Sequence, residues 1–374
     1  MNMETTITSD TLPARAGRVL QRLGLGLLTP SRDLIDWRDV AGVAIDAVGT
    51  ADAGAPVPES AAEEFAAHIR EVAPAIADYT GLVPQAPLAQ PVIFNRAEWI
   101  VTTAQMIGPL IEPFLRELMD AERGAGRLAR TAIRAELGLV VGYLSRRVLG
   151  QYDISLIDPD FRDGRLLFIY PNIVETEERL GVGGDEFRRR LALHEMTHVF
   201  EFQANPWLRK YISDLIQGQL AYLRDRMSDT KEKRSGPKRR SGGGRLVFPG
   251  AWRELMSVDE NPVLAKTQAL MSVLEGYSEF VMERVGESLG GEANVAELFD
   301  HARRSKSVGH KLIERLIGLQ VKIDQYKLGY QFVSQVVLAT DMELVNRVWE
   351  RPMNMPTLTE LGQPELWIAR MLKD

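Results

Sequence analysis

Apolar positions recur at helical spacing along most of the 374-residue chain. The stretch from Asp33 to about Val48 carries such a stripe and predicts a helix, and the Ala/Gly/Pro-rich segment Thr50–Ser60 predicts a linker. Helical periodicity returns in AAEEFAAHIREVAPAIADYTGLV, with a break expected at Pro74. From Asn95 to Leu149 two or three long helices are predicted. Trp99, Met106, Ile107, Leu110 and Leu115 mark one apolar face, and Ile133, Leu137, Val140 and Leu144 mark another. At Gln151 the texture changes. An Asp-Gly turn precedes the continuous apolar run Leu166–Tyr170, which predicts a strand. Gly181, Gly183 and Gly184 then lead into a helix expected to take Asp185 as its N-cap and to stop at Asn205-Pro206. Arg224–Arg245 is rich in Lys, Arg, Gly and Ser and reads as a solvated loop. Helical pattern resumes beyond it to about Val348, ahead of the Pro-punctuated tail RPMNMPTLTELGQPE. The first thirty residues turn amphipathic around Arg15, Arg18 and Arg22, as in a terminal helix that packs on the core. The fold class this pattern predicts is mainly α with a small β-sheet.

Composition narrows the chemistry. Hydrophobic residues make up 45% and charged residues 26%, fractions that suit a globular chain and exclude a disordered or fibrous one. Cysteine is absent, which removes disulfides, thiol nucleophiles, iron–sulfur clusters and thiolate zinc sites. The net charge of −6 argues against nucleic acid as a partner, despite the basic run after Arg224. The N-terminus MNMETTITSD lacks the features of a secretion signal, and no apolar run approaches the ~18 residues that span a bilayer. A cytoplasmic protein without membrane contact is expected.

The informative residues are His194-Glu195-Met196-Thr197-His198. One helical turn separates the two histidines, so their Cβ atoms stand ~5–6 Å apart and both imidazoles can reach one zinc at ~2.0–2.1 Å. Glu195 is offset from both and can act on a zinc-activated water. With 5 His in the chain, the pattern is expected by chance roughly 0.01 times. Two histidines need a third protein ligand. A metzincin would supply it from a Gly and a His at positions occupied here by Glu201 and Ala204, so that class is excluded. Glu275-Gly276-Tyr277-Ser278-Glu279 lies in an apolar helical setting, with Glu275 and Glu279 on one face. Either acid can bind the metal while the other accepts the free ring N–H of a ligating histidine. A solvated acidic row continuing through Glu283 and Glu287 is the competing explanation.

HEMTH followed by EGYSE resembles the gluzincin arrangement of thermolysin-type peptidases. That resemblance implies a zincin-like architecture, His194, His198 and Glu275 as ligands of one zinc, Glu195 as general base and Glu279 as the orienter of a histidine. More widely, VLGQYD, PNI with its following Glu, LALHEMTHVFEFQ, EGYSEFVM and DQYKLGYQF resemble a bacterial family of zincin-like hydrolases associated with deazaflavin coenzyme biosynthesis. The similarity runs from about Ile93 onward. With the change of texture at Gln151, the expectation is a helical N-terminal region over residues 1–150 and a zincin-like catalytic region over 151–374, continuous as one globular unit. The thermolysin histidine that stabilises the oxyanion has no match here. His301, His310, Tyr326 and Tyr330 are the candidates for that role, with Tyr326 preferred because DQYKLGYQF places it on a helix.

The leading reading is a zinc-dependent metallohydrolase acting on a peptide, protein or small amide, with Leu166–Tyr170 as the strand that edges the cleft. The alternative is a metal-stabilised binding or regulatory protein that keeps the fold without hydrolysis.

Overall fold

The structure, a computed structural model, describes residues 35–121, 127–154, 164–233, 261–291 and 324–373. In chain order its helices and strands are α1 (Trp37–Val48), α2 (Thr50–Ala53), α3 (Ala61–Thr80), β1 (Pro91–Phe94), α4 (Arg96–Ala121), α5 (Arg127–Ser145), β2 (Gly150–Asp153) and β3 (Arg165–Ile169). They continue with α6 (Tyr170–Leu180), α7 (Gly184–Ala204), α8 (Trp207–Lys233), α9 (Pro262–Ser288), α10 (Asp324–Ala339), α11 (Met342–Asn346), α12 (Leu358–Gly362) and α13 (Pro364–Met371). The protein is therefore mainly α with one small sheet, as its pattern predicts. No described helix is long and apolar enough to cross a membrane.

The chain divides into two compact units. The first takes the described parts of Met1–Pro56 and Phe94–Arg146. Asp36 caps α1 by accepting the Arg38 backbone N–H at 3.0 Å. Val40, Ala44 and Ile45 of α1 are buried. Arg134 of α5 pairs with Asp39, and Arg96, which is 1% exposed, pairs with Asp52. That ion pair draws Thr50–Ala53, expected as linker, into a helical turn after Gly49, whose φ of 91° breaks α1. Asn95 and Glu98 exchange backbone N–H bonds at 2.7 and 2.9 Å and so start α4.

The second unit takes Val57–Ile93 and Arg147–Asp374. It includes α3, which precedes most of the first unit in sequence. Pro74 does not break α3: it sits on the exposed side, where the carbonyl left without its N–H partner is open to solvent, while Phe65, Ile69, Val72, Ala73 and Ile76 stay buried. Helix α3 packs on α7. Phe65 stacks on Phe168 of β3 at 4.0 Å, and Arg188 of α7 bridges Glu64 of α3 at 2.7 Å and Glu177 of α6 at 2.8 Å.

Helix α7 is buried nearly all round: Leu191, Ala192, Leu193, Met196, Val199 and Phe200 are each at most 2% exposed. Its N-cap is Gly183, not Asp185. Asp185 stands in the first turn with its side chain 93% exposed, where a carboxylate favours the positive helix end without capping it. Asn205 ends the helix and donates 2.8 Å to the Glu201 carbonyl.

The sheet has the order β1-β3-β2, with β2 antiparallel to β3 in the register Gly150↔Phe168 to Asp153↔Arg165. The strand expected at Leu166–Tyr170 is β3, one residue earlier. Both of its edges are paired, so it cannot edge a cleft; β2 is the edge strand on the side of α7. The basic segment is also partly reassigned. Helix α8 continues through Arg224 to Lys233, and the remainder to Arg245 lies outside the described residues, as do the first thirty residues.

Candidate metal centre

Four residues apart on α7, His194 and His198 leave it from one face, a turn apart. Their ring centroids are 4.8 Å apart with planes at 83°. Thr197, between them in sequence, satisfies its hydroxyl by donating 2.9 Å to the Leu193 carbonyl. Helix α9 crosses nearby and brings Glu275 in. Its Oε2 lies 3.8 Å from His194 Nε2 and its Oε1 3.5 Å from His198 Nε2. One ligand atom from each of the three residues falls within 4.8 Å of the other two.

Next to Glu275, α9 makes a backbone-close crossing with α10. A Cβ on Gly276 would overlap the backbone of Gly329, and a Cβ on Gly329 would overlap the Ser272 carbonyl. Only glycine at both positions permits that approach, which explains the glycine next to Glu275 and the one in DQYKLGYQF.

Glu195 is 7% exposed and faces the start of β2. A Cβ on Gly150 would stand 2.6 Å from Glu195 Cγ and 2.8 Å from its Oε1, so the bare backbone of Gly150 is what leaves Glu195 its room.

His198 has a partner that its spacing could have announced. Glu201, three residues on and wholly buried, lies with Oε2 at 2.7 Å from His198 Nδ1. The acid beside His198 Nδ1 is thus Glu201, where Glu279 was the expected orienter of a histidine. Glu279 sits one turn beyond Glu275, half-buried, near enough to Tyr330 for its charge to act on that phenol. Tyr330 itself donates to Glu283, which commits its hydroxyl away from the donor group. Helix α10 includes Tyr326, whose side chain lies outside the described residues, as do His301 and His310.

The charge balance suits a cation. Burial disfavours a charged His198 ring, yet Glu201 and Glu275 outweigh burial and hold the imidazole well above its ordinary value. Burial pushes the Glu201 carboxyl up to about 7. The His198–Glu201 pair thus favours holding a proton, the charge that a divalent cation bound to His198 would supply instead. The donors fit zinc, for which two His and one Glu are a known catalytic set. Zinc bonds of ~2.0–2.1 Å place tetrahedral ligands ~3.3–3.5 Å apart, close to the two separations above.

Residues 35–368 match the zincin-like metallopeptidase family. A crystal structure from Chloroflexus aurantiacus, described as that of a candidate hydrolase with a novel fold, is 31% identical to this chain. It superposes with a TM-score of 0.71 over 91% of this chain and 100% of the other. No curated protein matches. A match over that much of the sequence makes this chain a member of the zincin-like metallopeptidase family.

Proposed function

We propose that the protein is a zinc peptidase in which His194, His198 and Glu275 hold one ion and Glu195 is the general base. The meeting of those three donors beside a buried Glu195 carries this assignment. When bound, zinc would lower the pKa of a water and polarise the substrate carbonyl. Glu195 accepts the proton of the attacking water and returns it to the leaving nitrogen, as a carboxylate walled in by Gly150 and α7 is placed to do.

The substrate is a peptide in extended form, added along β2. That strand is an outer strand of the described sheet, and it starts at the residue touching Glu195. The developing oxyanion is assigned to the Tyr326 hydroxyl. Tyr326 lies one turn before Gly329, where α10 crosses α9 beside Glu275. The test is metal analysis of the purified protein together with cleavage of a peptide library. Wild type should carry one zinc and cut peptides, and Glu195→Gln should keep the zinc and lose the cleavage. Equal cleavage by Glu195→Gln would remove the general-base assignment.

A further inference from the structure

We propose that Glu201 is the positioning residue of the metal centre, fixing His198 so that its Nε2 and not its Nδ1 faces the ion. This rests on the metal assignment above. Glu201 sits three residues after His198 on α7, a separation at which helical side chains meet. Its carboxylate is 0% exposed, and Oε2 is 2.7 Å from Nδ1. A buried carboxylate is costly, and the neighbouring positions Val199, Phe200 and Phe202 show what this part of α7 otherwise holds.

Among the described residues nothing else around Glu201 repays that cost, and its Oε1 has no hydrogen-bond partner there. Tyr277, whose phenol feels the Glu201 charge, donates at 2.8 Å to Asn346, and Asn346 donates in turn at 2.6 Å to the Thr80 carbonyl. Among the described residues, the one bond of the Glu201 carboxylate is to the ligand histidine. With Nδ1–H donating to Glu201, the lone pair is left on Nε2, the nitrogen 3.5 Å from Glu275. The carboxylate also makes that nitrogen a stronger donor to the metal.

The test compares full-length wild type with Glu201→Gln and Glu201→Ala. Zinc affinity is read by competition with a chromogenic chelator, and the ligand field by the visible absorption of the cobalt-loaded protein. Glu201→Gln keeps the shape and an acceptor but loses the charge, so it reports on His198 even where Glu201→Ala fails to fold. The expected result is zinc affinity lowered ~10–100-fold in Glu201→Gln, a displaced cobalt absorption band, and a metal-free melting temperature no lower than wild type. Wild-type affinity and an unchanged cobalt spectrum in Glu201→Gln would overturn the role of Glu201 while leaving the metal site standing. A wild type that takes up neither zinc nor cobalt would overturn the metal site itself, and this role with it.

Discussion

The contact between Gly150 and Glu195 separates the proposed base from the metal ligands. Gly150→Ala places a methyl 2.6 Å from Glu195 Cγ, where ordinary contact begins at 3.4 Å, so one group must move by about 0.8 Å. The backbone of Gly150 is in a region any residue adopts, which makes the effect purely steric. Overpacking of this kind costs about 1–3 kcal/mol of stability. The larger effect should fall on catalysis. A displacement near 1 Å in a reacting group can cost about 100-fold in rate, equivalent to about 2.7 kcal/mol of transition-state stabilisation. His194, His198 and Glu275 are untouched, so zinc affinity should match wild type. Peptide cleavage (kcat/KM), chelator competition and thermal melting on the one variant measure all three quantities. Full activity at full stability would show that Glu195 is not confined by β2. Loss of zinc alongside activity would show that Gly150 supports the ligands and not the base.

Chelation should lower the melting temperature and added zinc restore it, since a ligand at 100 times its dissociation constant adds about 2.7 kcal/mol to the native state; an unchanged melt after complete metal removal refutes a structural contribution from the site. Glu275→Gln should lose far more zinc affinity than Glu279→Gln in direct titration, and the reverse order would exchange their roles. Tyr326→Phe should lower kcat by about 100-fold or more with zinc affinity intact, as for loss of an oxyanion donor, and a wild-type kcat removes Tyr326 from the mechanism. Gly329→Ala should destabilise by several kcal/mol in denaturant unfolding, because its methyl meets backbone on α9 that no side-chain rotation relieves; a wild-type midpoint would refute a tight α9–α10 crossing.

Local spacing alone carried much of the site. His194, Glu195 and His198 were legible because a helix turns its residues through a set angle, so five adjacent letters imply a geometry. The same rule reaches Glu201 at the next turn, where an acid amid Val199, Phe200 and Phe202 is the signal; as a pattern position, Glu201 by itself excludes only the metzincin ligand set. Glu275 was reachable from the pairing of two acids on one face, but choosing it over Glu279 took a resemblance, since both share that face.

What the sequence by itself determined is the set of local elements and their chemistry: a helical chain with one apolar strand, no thiol chemistry, and a two-histidine helix awaiting a third ligand. Tertiary structure alone decided which strand is the edge, because β3 has the apolar run of a central strand but pairing order depends on partners remote in sequence. It alone placed Glu275 against the histidines, through a crossing of α9 and α10 that two glycines permit. It alone kept α3 whole across Pro74, where burial of one face outweighs a lost bond on the other. In each case the deciding free energy lies in contacts between segments far apart in the chain, and no local pattern encodes those.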